Sequence, residues 1–220
     1  RHFFERCLLR LGNRNVDEYW VQSESIALAL GRKFPAARIR IAPFVDSAIV
    51  HPPKGPADGR APGRFFYPSD AMAHKSHINL LKAWEILNRQ QHVELVLTLD
   101  QHVYQGLADT AGISPEVRKA VVNLGPLPRA AVLEEMSRAT ALIFPSISET
   151  FGLPLLEATA TGTPIVASEM DYVRDVCVPA QTFDPHSPRS IARAVQRFLG
   201  SAAPPPAPLS GAEFVQLLQP

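Results

Sequence analysis

From residue 64 onward the chain alternates short apolar runs with longer segments whose apolar residues recur every three or four positions. The runs cover 64–67, 93–99, 121–124, 141–145, 165–168 and 182–184. The run over 93–99 is nearly all apolar, which predicts a strand covered on both faces, as in a parallel sheet. The segments between predict helices over 77–90, 115–120, 130–139, 153–161, 172–177 and 190–199. In the first of these Ile78, Leu81, Trp84, Ile86 and Leu87 are apolar, while Asn79, Lys82, Glu85 and Arg89 are polar. Strands alternating with helices predict βαβ units, a parallel sheet and helices on both of its faces. Such α/β sheets bind ligands beyond the carboxyl ends of their strands. The loops after Tyr67, Leu99, Leu124 and Pro145 are therefore expected to converge on one cleft.

The first part of the chain is patterned differently. A helix is expected over 2–11, a strand over 16–22, a helix over 24–34 with Ser23 as its cap, and a strand over 38–42. Pro52, Pro53, Pro56 and Pro62, with Gly55, Gly59 and Gly63, mark 47–63 as a linker. The expected organisation is a small unit over 1–46, this linker, a large unit over 64–199, and a proline-rich tail over 200–220 that ends in a helical turn.

Composition narrows the class. Hydrophobic residues make up 46% and charged residues 20%, as in a globular protein with a sizeable core. A net charge of +1 gives no electrostatic reason to expect a nucleic-acid partner. Cys7 and Cys177, far apart in sequence, form neither a disulfide framework nor a metal pattern. No apolar run approaches the roughly 18 residues of a transmembrane helix. The chain opens on Arg1, with no initiator methionine, inside an expected helix, as expected of a fragment or a processed product.

The most informative segment is Glu149-Thr150-Phe151-Gly152-Leu153-Pro154-Leu155-Leu156-Glu157. An apolar run precedes it and a small-residue stretch through Gly162 follows, so the order reads strand, loop, helix, strand. Pro154 suits a first helical turn, and Gly152 allows close backbone approach to a ligand. The start of the new helix offers free N–H groups to an anion. Two carboxylates accept hydrogen bonds and suit hydroxyls. Phosphate together with several hydroxyls describes a sugar nucleotide.

With its flanks, Ala141–Ser146 and Ala158–Ser168, this segment resembles the donor site of retaining glycosyltransferases of the GT-B fold. The resemblance is specific over 64–199 and weaker over 1–50. It implies that 64–199 is the Rossmann-like, C-terminal donor-binding half of a GT-B fold, and that 1–46 is the end of an acceptor domain lying mostly outside these 220 residues. The implied activity moves a sugar from a nucleotide diphosphate to a hydroxyl of a glycan or lipid-linked sugar, with retention, in surface polysaccharide or glycan synthesis. It implies no cofactor beyond the donor, no metal, and a cytoplasmic enzyme with room for peripheral membrane association through the N-terminal domain.

Residue by residue, the resemblance assigns Glu149 to the donor sugar hydroxyls, as the catalytic-site carboxylate, and Glu157 to the ribose. Backbone amides of Phe151, Gly152 and Leu153 would meet the sugar or distal phosphate. Lys75 matches the lysine that touches the diphosphate, and Gly125 and Leu127 fall where the base is held. One position departs from the common pattern: Ser69 stands where many members carry a second diphosphate cation. Ser69 can donate a hydrogen bond there but cannot neutralise charge, and Arg129 is a conceivable substitute. His74 and His77 flank Lys75, and fit a phosphate neighbour or a polar residue at a helix start equally well. Two other readings stay open: a non-catalytic sugar-nucleotide-binding module, and a GT-B sugar-nucleotide epimerase.

Overall fold

The computed structural model describes residues 12, 15–44 and 60–201. The helix expected over 2–11, Cys7, the linker over 47–59 and the tail beyond 201 lie outside the described residues. The large unit holds a six-stranded sheet of β3 (Ala61–Tyr67), β4 (Glu94–Leu97), β5 (Val121–Asn123), β6 (Ala139–Phe144), β7 (Ile165–Ser168) and β8 (Gln181–Phe183). The strands run in the order β5-β4-β3-β6-β7-β8, and every pairing is parallel. Phe65, Phe66 and Tyr67 are consecutive in β3 and all buried. Side chains alternate between the faces of a strand, so both faces of the sheet are covered. That is why these strands read as continuous apolar runs.

The crossovers are α2 (His77–Leu87), α3 (Gln101–Ala111), α4 (Pro115–Lys119), α5 (Arg129–Arg138), α6 (Leu153–Ala160), α7 (Asp171–Arg174) and α8 (Pro188–Phe198). Helix α2 packs against both α3 and α8, while α5 packs against α6. Trp84 of α2 is fully buried, meets Phe65 edge-on at 5.7 Å, and donates its indole N–H to the Val93 carbonyl at 3.0 Å. Strand order reverses between β3 and β6. The chain leaves those two strands toward opposite sides, and a crevice opens at their carboxyl ends.

Ahead of the sheet, β1 (Tyr19–Val21) and β2 (Ile39–Ile41) pair in parallel, with a helix over Glu24–Lys33, α1, between them. The Ser23 hydroxyl caps α1 by accepting from the Ile26 amide, as expected. This unit leans on the larger one: the Ser25 amide donates to Asp175 Oδ2 at 2.8 Å.

Two expectations are corrected. Strand β3 begins at Ala61, so Ala61, Pro62 and Gly63 are strand and not linker. Its pairing with β6 slips between Ala61 and Phe65, and Gly63 takes φ +70°, which lets a proline and a glycine start a central strand. Helix α3 is an addition to the expected elements. It is capped by Asp100, whose Oδ1 accepts from the His102 amide at 2.9 Å, and closed by Gly112 at φ +66°.

Candidate nucleotide-sugar site

The loops leaving β3 and β6 are stitched together at the crevice. The Tyr67 hydroxyl sits 3.0 Å from both the Lys75 carbonyl and Ser146 Oγ. The Ile147 amide donates to the His74 carbonyl at 2.7 Å. Below them, the Ser146 carbonyl accepts from the hydroxyls of Ser168 and Tyr172, each at 2.7 Å. Burial pushes both tyrosine phenols well above their usual pKa. They stay neutral donors at any working pH.

This framework brings Lys75 and Glu149, 74 residues apart, into direct contact: Nζ lies 2.6 Å from Oε1. Both side chains are largely buried, 16% and 11% exposed. The lysine and the first glutamate of the motif thus share one spot at the switch point of the sheet.

The motif helix follows. Gly152 is the N-cap of α6, with φ +78°, and a Cβ there would meet Leu155 Cδ1 at 3.0 Å. Any other residue would be strained both in backbone and in space. Pro154 lies in the first turn, as expected. Among the described residues nothing accepts from the backbone N–H groups of Phe151, Gly152 or Leu153. These amides stand at the positive end of α6, a favourable seat for an anion. The Phe151 ring itself is buried and lines a separate cavity of about 380 Å³, with Gln22, Ile41 and Asp175, between the two units.

One turn into α6, Glu157 is 7% exposed. Burial raises its pKa, and Arg129, with Nη2 3.3 Å from Oε1, opposes that rise. Arg129 starts α5, directly after the segment holding Gly125 and Leu127. Gly125 turns the chain out of β5 at φ +76°. Leu127 lines a cavity of about 470 Å³ at the carboxyl ends of β3, β4 and β5, with Ser69, Thr98, Leu99 and Val103. That volume is within the usual range for small-molecule sites.

Residues 61–205 match the family described as Glycosyl transferases group 1. The chain belongs to that family. It is 29% identical over 184 residues to the D-inositol 3-phosphate glycosyltransferase of Streptomyces avermitilis, covering 71% of this chain and 40% of the relative. A mutant of S. aureus TarM, in complex with Fondaparinux, alpha-GlcNAc-glycerol and UDP, superposes with a TM-score of 0.71 at 15% identity. It covers 86% of this chain and 38% of TarM. Sucrose-phosphate synthase from Thermosynechococcus elongatus gives 0.69 at 22% identity, covering 90% of this chain and 52% of the synthase. The two structures share its fold, the Rossmann-like half of GT-B. The chain spans two fifths to one half of the length of these proteins.

Within this group 1 glycosyltransferase chain, the surroundings of Ser69 and His77 bear on their expected roles. The Ser69 hydroxyl donates to the Asp70 carbonyl at 2.7 Å, and its amide is held by Thr98 Oγ1, so the hydroxyl would have to turn away from that carbonyl to meet a ligand. Of the two readings of His77, the structure favours the polar residue at a helix start, since His77 opens α2. It is 3% exposed, its ring packs 5.0 Å from Tyr67, and burial lowers its pKa to about 4. It is neutral at pH 7. His74 enters through its carbonyl, in the contact with Ile147. The Tyr67–Ser146–Ser168–Tyr172 group is absent from the sequence reading. Its signal is present as polar-tipped residues at the ends of apolar runs, but such residues read as strand boundaries until their partners are known. Among the described residues no three His, Cys, Asp or Glu side chains converge as a metal site, and no helix is long and apolar enough to cross a membrane.

Proposed function

We propose that the chain is the donor-binding half of a retaining glycosyltransferase that moves a sugar from a nucleotide diphosphate to a hydroxyl of a glycan or lipid-linked acceptor. The Lys75–Glu149 pair beside the open amides of α6 carries this reading. A sugar diphosphate has chemistry for every part of it. Its phosphates suit Lys75 and the Phe151–Leu153 amides, and its sugar hydroxyls donate to Glu149. The cavity bordered by Ser69 and Leu127 has room for the base, and Glu157 accepts from the ribose. The relative crystallised with UDP supports a nucleotide donor.

In the transfer, the bond from the anomeric carbon to the diphosphate oxygen breaks while a bond to the acceptor oxygen forms on the same face. The acceptor's proton leaves with the departing diphosphate. Lys75 and the helix amides stabilise charge developing on that diphosphate, and Glu149 fixes the sugar's orientation. The work is positional and electrostatic, and no protein carboxylate is needed as a nucleophile. Glu149, held by Lys75, is cast here as a sugar ligand. The 220-residue chain is expected to bind donor without sustained transfer, since beside the donor-binding unit the described residues include only the small β1–α1–β2 unit to face an acceptor.

Thermal unfolding with UDP-, GDP- and dTDP-sugars tests the reading, because a ligand that binds the folded state raises the apparent melting temperature. A rise with one of these bases is expected. No rise with any of them at millimolar concentration overturns it.

A further inference from the structure

We infer that Arg129 positions the Glu157 carboxylate for the ribose hydroxyls of the nucleotide, and does not itself hold the diphosphate. This rests on the donor-site reading above and goes beyond it in giving the buried glutamate a partner.

Three observations carry it. First, the ion pair is direct: Arg129 Nη2 lies 3.3 Å from Glu157 Oε1, with the carboxylate side chain 9% exposed and the guanidinium 43% exposed. A carboxylate so placed loses most of its hydration and needs a charge partner to stay ionised. Second, among the described residues no other charge on the neighbouring elements is free to do this. Helix α6 carries no ionisable residue besides Glu157 over 153–160, and the strands packed on it, β6 and β7, carry none over 139–144 and 165–168. On α5 the remaining charges are engaged elsewhere: Glu135 with Arg64 at 2.9 Å, and Arg138 with Glu134 at 2.5 Å. Lys75 is held by Glu149. Third, Arg129 is the first residue of α5. A cation in the first turn opposes the helix dipole, so its place there is offset by an interaction outside its own helix, and Glu157 supplies one. Arg129 also follows Leu127 by two residues, at the border of the 470 Å³ cavity. Its helix follows β5 at the edge of the sheet, whereas Lys75 follows β3 near the centre.

An ionised Glu157 accepts from two ribose hydroxyls, whereas a protonated one must spend an oxygen as donor. The pH sign follows. Burial raises the Glu157 pKa and Arg129 opposes that. Without the arginine the carboxylate protonates at a higher pH, so nucleotide affinity fades earlier on acidification.

Calorimetry from pH 5.5 to 8 with UDP, GDP and dTDP, and with pyrophosphate as the ribose-free control, tests the inference. Arg129→Ala should weaken the bound nucleoside diphosphate about tenfold at pH 7 and move the acid limb of binding to higher pH. Pyrophosphate affinity should stay at the wild-type level. Arg129→Lys should recover most of the loss, and Arg129→Ala should add little to a Glu157→Gln background. Melting curves verify folding, and Arg129→Gln, which keeps the side-chain stem, replaces the alanine variant if that unfolds. Equal losses for pyrophosphate and nucleotide would make Arg129 a phosphate ligand and overturn the inference. So would a variant with wild-type affinity and an unmoved acid limb. A wild-type chain that binds none of the three nucleotides overturns the donor-site reading itself.

Discussion

The two glutamates of the motif have the same side chain and opposite supports. Glu149 sits on a loop, yet its partner Lys75 belongs to a loop fixed by Tyr67, Ser146 and the His74–Ile147 bond. Glu157 sits on a regular helix, yet its charge depends on one half-exposed arginine. The loop-borne carboxylate is therefore the more firmly built, and the helix-borne one is the more easily perturbed. Regular secondary structure positions a backbone. It does not by itself secure the charge of a side chain, which depends on partners and hydration.

The sharpest way to break this contrast is to remove one member of the Lys75–Glu149 pair. Glu149→Ala leaves an ammonium that is 16% exposed without its partner. Breaking a buried pair costs on the order of 3 kcal/mol, and denaturant unfolding should register a loss of that size. Glu149→Gln, which can still accept from Lys75, should lose less. In a full-length enzyme, Glu149→Ala should reduce transfer more than it reduces binding of the bare nucleotide diphosphate. Equal losses would put Glu149 on another part of the donor.

The second test acts on the same loop through pH. His77 packs on Tyr67 and is held neutral, with its pKa lowered to about 4 from an ordinary 6.5. A depressed pKa gives stability that is present above the unfolded value and lost as pH falls through the window from about 6.5 to 4. Linkage puts the loss at about 2 kcal/mol by pH 5. His77→Phe keeps an aromatic ring there and cannot titrate, so its stability should fall less over that window. Parallel pH–stability curves for the two proteins would remove His77 from the account.

How far the sequence carries the fold depends on where the information lies. Strand runs such as 93–99 are legible because burial on both faces leaves no polar alternation to confuse them. The motif helix is legible from Gly152 and Pro154, which act on the backbone locally. Helix α3 is hard to see although Asp100 and Gly112 mark both its ends. Its inward face is built on Tyr104, Ala108 and Ala111, small or half-polar residues that give a faint periodic signal, and Gly106 interrupts it. The start of β3 reads as linker because Pro62 and Gly63 are usually breakers, and only the slipped register with β6 accommodates them. Site residues are legible as types and not as pairs. Lys75 with Glu149, and Arg129 with Glu157, are joined by chain topology across 74 and 28 residues, a separation over which no local pattern reports.

The mildest change turns the comparison around on the helix-borne side, where stability and binding should move in opposite directions. Glu157 has a pKa raised by burial despite Arg129. A raised carboxylate pKa means that its contribution to stability is full below the unfolded value and is lost as pH rises through the folded one. At pH 7 the ionised group is therefore a net cost to the fold. Glu157→Gln is nearly isosteric, cannot ionise and can still accept from Arg129. It should therefore stabilise the chain at pH 7, read as a rise in melting temperature. The gain should vanish toward pH 4, where the wild-type carboxylate is itself protonated. The same variant should bind nucleoside diphosphate more weakly, though less so than Glu157→Ala, whose loss is expected at about 1–3 kcal/mol. Melting curves at pH 4 and 7, paired with calorimetry at pH 7, read both quantities. A residue kept at the expense of stability because it serves a ligand gives opposite signs. A glutamine variant that loses both stability and binding would instead make Glu157 part of the structural framework, on the same footing as Glu149.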